Sequence, residues 1–478
     1  MLNWKILSHL NSKKIKLLQE KKIRYFIQHK IPFSPYYNKL FKKNKIKFSD
    51  IKTLEDLRRI PFTTKKDIVP TKKEKKHITF ILKPDKELIK KYSSKFDLLK
   101  YSLNKNSAFK EFNPTHIHFT TGRTANTVPF LYTPYDLEKL REAGRRMMDI
   151  FNIDKSDRLV NAFPYAPHLA FWATFFAAEA SGLFAVHTGG GKILGTDKII
   201  KTIENTKASL LSFIPGYAYH LLREAKNKKA NFSNVKKIFF GGERVSKGLR
   251  YKIKIMLKSL GSKNPEIFAT YAFTEGKVAW AECKENSGYH LYPDMEFIEI
   301  VDKNNENVGE NEKGEIVYTA LDFRGTIVLR YKTGDIGSIT NEKCSCGRTV
   351  PRISSKIERS SEIKEFNLTK VKGTLVNLNT FFEILNIKEI EEWQVEIRKK
   401  NNDPYDLDEL IVYISPKKNI DFIKLKSKLK NILKDQLEIT PQIIKIDLNK
   451  LLDKLGMETE LKEKRIIDKR TKIWLIPP

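Results

Sequence analysis

Apolar positions along the first hundred residues recur near helical spacing, as in LLQEKKIRYFIQHKI at 17–31, with polar loops between them. KTLEDLRRI at 52–60 adds a cap candidate in Thr53, so about 1–110 reads as a helical lead-in. From about 115 the pattern changes to short apolar runs alternating with helices. THIHF predicts a strand, a helix follows with Thr133 as cap and Pro134 in its first turn, and DRLVNAF predicts the next strand. That rhythm is α/β. Between 290 and 340, FIEIVD, GEIVYTAL and TIVLRYKTGDIGSI are short strands broken by Asn and Gly turns, which predicts an antiparallel section. Beyond about 360, QVEIRKK, DELIVYIS, the helix DFIKLKSKLKNILKDQLEI and QIIKIDL predict a smaller βαβ-type unit. The expected division is a large N-terminal domain over 1–360 and a small C-terminal domain over 361–478.

With 478 residues and 40% hydrophobic content, the chain can bury a large core. No stretch reaches the roughly 18 uninterrupted apolar residues of a membrane span, and MLNWKILSHLNSKKIK lacks the apolar centre of a signal peptide. A cytoplasmic protein is expected. Lys+Arg 89 against Asp+Glu 57 gives +32, a balance that raises nucleic acid or an anionic membrane as partners. The lysines are scattered, however. KKNKIKF, TKKEKKH and EIRKKNND lie far apart and share no aromatic pattern, so a solvated surface that attracts anionic cofactors is preferred and no dedicated nucleic-acid partner is expected.

Chemistry gathers in four places. IHFTTGRTANT sets Thr120, Thr121, Gly122, Arg123 and Thr124 after a strand, where hydroxyls and backbone N–H groups around a glycine turn can wrap phosphate oxygens. TGGGKIL at 188–194 lacks the spacing of a nucleotide P-loop and reads as a turn beside a site. IFFGGERVS ends an apolar strand at Gly241 and Gly242, which permit a flat ring to lie against backbone. IFATYAFTEG supplies Tyr271, Thr274 and Glu275 after another strand, and LRYKTGDIG supplies Asp335, a carboxylate suited to sugar hydroxyls. Together these fit ATP.

This ordered set resembles the adenylate-forming superfamily of acyl-CoA synthetases, in particular its phenylacetate-CoA ligase-like branch with capsule-biosynthesis relatives. IPFSPYYNKLF, IKTLEDLRRIPFTTKKDI and CSCGRTVPRI extend the resemblance over nearly the whole chain. It implies the adenylate-forming fold, a C-terminal domain that is mobile, and roles at matching positions. Thr120 to Thr124 would be the phosphate loop; Gly241, Gly242 and Glu243 the adenine segment; Tyr271 the stacking ring. Thr274 and Glu275 would meet the α-phosphate and magnesium, while Asp335 and Arg359 would hold the ribose. Lys462 in LKEKRIIDKR matches the adenylation lysine, with Lys464 as the alternative, and Gly373 in KVKGTLVNL matches the glycine lining the pantetheine path. The implied reaction is ATP-dependent activation of an aryl or apolar carboxylic acid to an acyl-adenylate, then transfer to CoA. The partners are therefore small molecules, with a homodimer admitted. Two other readings stay open: a ligase with an amine, hydroxyl or carrier-protein acceptor, and a non-catalytic ATP-binding or basic surface-binding protein.

The chain departs from the family pattern at Ala125 and Asn126, where a second glycine and a lysine are usual, and at Glu358, Ser361, Glu362 and Leu461. Arg123 can supply the missing phosphate charge as a guanidinium fork. NAFPYAPHLAFWATFFAAEASG offers Tyr165 and His168 for an acyl pocket, its later aromatics reading more simply as core helix.

Only three cysteines occur, and no disulfide framework is expected in a cytoplasmic chain. Cys283 with His290, and Cys344 with Cys346 on a CSCG turn, make a Cys₃His set suited to a closed, tetrahedral structural zinc, as related proteins of the branch carry. The alternative is a buried Cys283, a free CSC turn and a strand histidine.

Overall fold

The computed structural model describes residues 3–71, 74–120, 128–243, 245, 247–359, 369–371, 374–376, 379–399, 408–437, 440–457 and 463–470. Its strands are β1 (His116–Phe119), β2 (Pro129–Tyr132), β3 (Arg158–Asn161), β4 (Phe184–His187), β5 (Leu210–Phe213), β6 (Lys237–Phe240), β7 (Glu266–Ala272), β8 (Ala279–Glu282) and β9 (Tyr289–His290). They continue with β10 (Glu296–Val301), β11 (Gly314–Ala320), β12 (Tyr331–Gly337), β13 (Ile339–Thr340), β14 (Arg352–Ile353) and β15 (Glu358–Arg359). The last six are β16 (Thr369–Val371), β17 (Thr374–Val376), β18 (Ile390–Lys399), β19 (Asp408–Pro416), β20 (Gln442–Lys445) and β21 (Ile466–Asp468).

A nine-stranded sheet in the order β13-β14-β9-β8-β7-β6-β5-β3-β4 forms the frame. From β4 to β7 the strands are parallel; beyond β7 every pairing is antiparallel. Apolar runs such as LLSF and KIFF are buried along their full length, as central parallel strands covered on both faces must be. The helix Pro134–Ile150 starts as expected: Thr133 caps it in a reciprocal box with Asp136. Its Gly144 lies against the helix Leu169–Ser181, where an added Cβ would sit 2.5 Å from Ala177 Cα. Glycine is what lets the two backbones close. At its other end, buried Lys237 donates to the carbonyls of Phe151 and Asn152, both at 2.7 Å, satisfying groups a helix terminus leaves open.

The antiparallel section predicted for 290–340 is a separate four-stranded sheet, β10-β11-β12-β15. The C-terminal residues build another, β20-β19-β18-β21, with its own core around Phe381, Trp393, Val395 and Leu429. There the predicted βαβ unit is β19, the helix Phe422–Leu437 and parallel β20. It is preceded by an antiparallel β18–β19 hairpin and completed by β21, a three-residue strand too short to show a period. β2, with proline at its first residue, also escaped the sequence pattern; it pairs with β1 as an isolated hairpin.

Candidate functional site

In the parallel part of the large sheet the chain runs from β3 to β4 on one side and, after crossing back, from β5 to β6 on the other, so the connections diverge between β3 and β5, where a fold of this kind has a crevice beyond the strands' carboxyl ends. β6 ends at Gly241, whose added Cβ would lie 2.9 Å from Thr270 Oγ1 and 3.2 Å from Phe163 Cζ; no side chain fits. Gly242 follows with φ of +81°. At the end of β7, Tyr271 Oη donates to Asp335 Oδ2 at 2.7 Å, joining the large sheet to β12 of the four-stranded one. Four residues earlier on β12, Tyr331 Oη donates to Glu275 Oε1 at 2.8 Å. Two bonds thus bring IFATYAFTEG and LRYKTGDIG together. Asp335 is buried, while Thr274, Glu275 and Glu243 are half-buried. The backbone of Arg359 lies opposite Asp335 on β15.

Beneath the Thr274–Gly276 turn lies Lys277, which sequence reasoning missed. It is buried, holds a left-handed φ of 62°, and donates to Asp136 Oδ2 at 2.8 Å and the Leu131 carbonyl at 2.9 Å. Burial pushes its ammonium pKa down against the pull of Asp136. Thr120 closes the base of the threonine loop: its N–H donates to the Val128 carbonyl and its Oγ1 accepts from Val128 N, each at 3.0 Å. Thr121, Gly122, Arg123 and Thr124 lie outside the described residues, as do Ala125 and Asn126. On β1, His116 and His118 bring their Nε2 atoms within 2.9 Å, so one ring nitrogen donates and the other accepts. Burial, then His116 and Lys277, push His118 down to about 3, leaving that ring neutral near pH 7. Their i, i+2 placement on one strand face was the available signal.

Tyr165 is exposed beyond β3, its N–H donating to the Gly189 carbonyl at 3.0 Å and its ring edge-on to Phe171 at 5.2 Å. His168 Nδ1 lies 2.9 Å from the Phe119 carbonyl, next to Thr120. TGGGKIL is a turn at this rim; Gly190, at φ of +82°, approaches Pro164 so closely that an added Cβ would be 3.2 Å from its Cα. Phe171 and Phe176 are buried core.

The three cysteines and His290 meet. Their ligand atoms all lie within 4.8 Å of one another, with Cys283 Sγ 3.5 Å from Cys344 Sγ and Cys346 Sγ 3.7 Å from His290 Nε2. A tetrahedron with metal–sulfur bonds of about 2.3 Å has edges of about 3.8 Å, so the donor set fits zinc. Burial works against ionisation of Cys344, but bonding to His290 brings the thiol down to about 7. The CSCG turn is anchored from outside: Arg348 Nη2 donates to Asp149 Oδ2 at 2.5 Å and Thr349 N to the Ser8 carbonyl at 2.8 Å.

Residues 59–330 match the AMP-binding enzyme family, more than half of the chain. The chain belongs to that family. A phenylacetate-coenzyme A ligase of Thermus thermophilus is 25% identical over 398 residues, covering 82% of this chain and 80% of the relative. Another, of Escherichia coli K12, is 21% identical over 359 residues, covering 74% of each. Among solved structures, 2-hydroxyisobutyryl-CoA ligase in the postadenylation state with 2-HIB-AMP superposes with a TM-score of 0.75 at 20% identity, over 97% of this chain and 91% of that one. The same ligase in its thioesterification state with CoA gives 0.62 over the same shares.

The sheet β20-β19-β18-β21 of this AMP-binding enzyme packs on two helices, Pro215–Asn227 and Lys247–Ser259. Tyr219 Oη donates to Glu391 Oε1 at 3.0 Å, and Lys252 Nζ donates to the Ile390 carbonyl at 2.6 Å. Arg465 holds Glu463 in a fork at 2.8 and 2.9 Å and reaches buried Glu392 at 2.5 Å. Glu463 in turn fills the space that Gly216 leaves, where an added Cβ would be 2.2 Å from Oε2. Gly373, Lys462 and Leu461 lie outside the described residues, with Ser361 and Glu362; of Arg359 only the backbone is described.

Proposed function

We propose that the carboxyl-end crevice carries both half-reactions of an ATP-dependent, AMP-forming acid–CoA ligase acting on an aryl or apolar carboxylic acid. The carboxylate attacks the α-phosphorus, pyrophosphate leaves, and the CoA thiol then displaces AMP from the acyl-adenylate. The observation that carries this is the Tyr271–Asp335 bond, which sets an aromatic ring and a buried carboxylate from two sheets side by side, as adenine and ribose require. Gly241 and Gly242 would give the ring its flat bed, and Asp335 would accept from the ribose hydroxyls, to which Arg359 would donate. Thr274 would donate to the α-phosphate and Glu275 would hold magnesium, whose charge would offset that of the phosphates. Thr120, with the loop through Thr124, would cradle phosphate, while Tyr165 and His168 would flank the acyl group.

The division at about 360 into a large unit and a mobile C-terminal one is supported by the latter's separate core. The docked arrangement overlaps 2-hydroxyisobutyryl-CoA ligase in its postadenylation state better than in its thioesterification state, which supports assigning it to the adenylating half. Glu463, docked on Gly216, would then deliver Lys462 to the charge that builds at the α-phosphate. The Cys₃His set would hold one structural zinc, pinning β8, β9 and the CSCG turn, with no position left for chemistry. A panel of acids with ATP tests the reading: pyrophosphate release followed by an acyl-CoA mass is expected for an apolar or aryl acid. Absence of pyrophosphate release overturns it, and release without thioester moves it to a non-CoA acceptor. Lys462→Ala is expected to lower adenylation about 10²–10³-fold while sparing thioester formation from supplied acyl-adenylate.

A further inference from the structure

Helices Lys95–Leu103 and Lys105–Phe112 turn acidic residues, Asp97 and Glu111, inward and leave large apolar residues, Phe96, Leu99, Leu103 and Phe109, exposed. On the first, Asp97 and Tyr101 face the protein, where Tyr25 Oη donates to Asp97 at 2.6 Å and buried Lys30 Nζ lies 3.2 Å from the same carboxylate. On the second, Glu111 faces inward to Lys30 at 3.1 Å and Arg324 at 3.0 Å. These buried ion pairs settle which side of each helix meets the body.

The opposite face of the first helix carries Phe96, Leu99 and Leu103, spaced i, i+3, i+7 in one stripe and 74%, 57% and 78% exposed. Phe109 of the neighbouring helix is 54% exposed. Among the described residues, five of the fourteen large apolar side chains left exposed fall between 96 and 109, so this is a concentration rather than scatter. The surrounding charge is one-sided. Residues 83–112 hold eight lysines against four acids, and two of those acids are the buried Asp97 and Glu111. Lys95 is exposed on one flank of the stripe, Lys100 on the other flank turns its ammonium to buried Glu111 at 2.5 Å, and Lys90, Lys91 and Lys110 are exposed close to it in sequence.

We propose that this helix pair is a docking surface for an anionic phospholipid bilayer, with Phe96, Leu99 and Leu103 entering the acyl boundary and the exposed lysines Lys90, Lys91, Lys95 and Lys110 lying on the headgroups. An outward apolar stripe edged by lysine is the arrangement that lets a helix rest in the interface plane, the lysine stems following the apolar surface while their ammonium groups reach phosphate. The charge also selects against a second copy of the chain, because two such faces would bring lysine against lysine. An anionic surface is the complementary one.

Co-sedimentation of the full chain with phosphatidylglycerol-containing vesicles, beside pure phosphatidylcholine vesicles, tests this. Binding to the anionic vesicles is expected, weakening as salt rises, and about tenfold or more weaker in the triple variant Phe96→Ser, Leu99→Ser, Leu103→Ser. The substituted side chains are exposed, so pyrophosphate release by the variant should be unchanged and reports that it is folded. A Phe96→Trp variant gives a second readout: its added fluorescence should be quenched by brominated acyl chains. No sedimentation with anionic vesicles, sedimentation that the triple variant leaves intact, or absence of bromine quenching would each overturn the proposal. So would a dimer in solution that the triple variant dissolves, since the stripe would then be covered by protein.

Discussion

Gly248, in the first turn of the helix Lys247–Ser259, lies against the C-terminal unit so closely that an added Cβ would be 2.4 Å from the Asn386 carbonyl oxygen. That oxygen is backbone and cannot rotate away, so Gly248→Ala obliges the docked unit to retreat by about 1 Å to reach ordinary contact. The retreat stretches the 2.6 Å bond from Lys252 to the Ile390 carbonyl and the 3.0 Å bond from Tyr219 to Glu391 past hydrogen-bonding range. Burial pushes Lys252 down to about 8, so at pH 7 the first of these is still a charged bond. Two bonds that each involve a charged group are worth about 3 kcal/mol together, which corresponds to about a hundredfold loss of the docked population. Alanine meanwhile favours the helix itself by about 0.5–1 kcal/mol, so the variant should remain folded, which its circular dichroism spectrum checks. The assay compares pyrophosphate release from ATP and acid with thioester formation from supplied acyl-adenylate. Adenylation should fall steeply and thioester formation much less. Unchanged adenylation in a folded variant, or parallel loss of both steps, would refute the idea that this docking serves adenylation.

Metal analysis of the purified protein should find about one zinc per chain, and Cys344→Ala should bring that close to zero and lower the melting temperature. Full stability without metal would remove the assignment. The Glu111 carboxyl gives a pH test: burial alone would raise it, but Arg324 and Lys30 hold it down at about 2. A depressed carboxylate stabilises the fold fully above its ordinary value near 4.5 and loses that contribution as pH falls toward the folded value, here about 3 kcal/mol in all and about 2 of it by pH 3. Urea unfolding at pH 6 and pH 3 should show this slope, and Glu111→Gln should flatten it; an equal slope in both proteins would contradict the ion-pair account.

The parts of the site that the sequence displayed are those where chemistry forces residue type at short range. Gly241 has no room for a side chain, Thr133 and Asp136 cap reciprocally within four residues, and the CSCG turn presents its thiols two apart. What stayed hidden depends on distant segments meeting. The Tyr271–Asp335 bond spans 64 positions, and nothing local to Lys277 announces that Asp136, 141 positions away, receives its charge. The paired histidines of β1 were visible only as strand residues, because their contact needs the strand's pleat. The outward apolar stripe at 96–103 was hidden for a related reason. Periodicity shows that a helix has an apolar face, but which face meets the body was decided here by Lys30 and Arg324 pulling the acids inward.

The cysteine cluster and the Tyr271–Asp335 side of the crevice, proposed for the nucleotide, are joined through adjacent strands. His290 stands opposite Ala281 on β8, and Trp280, the next residue back, stands opposite Tyr271 on β7. The ring that would stack on adenine is therefore two ladder steps from a ligand of the candidate metal. Short antiparallel strands such as β9, two residues long, hold few hydrogen bonds of their own, so a metal held by His290 would set the register of β9 more than the ladder does. Loss of that metal is expected to let β8 shift against β7 and to lengthen the Tyr271–Asp335 bond. The carboxylate would then have to be positioned for ribose without its tyrosine, at a cost felt in nucleotide binding before the sheet itself gives way.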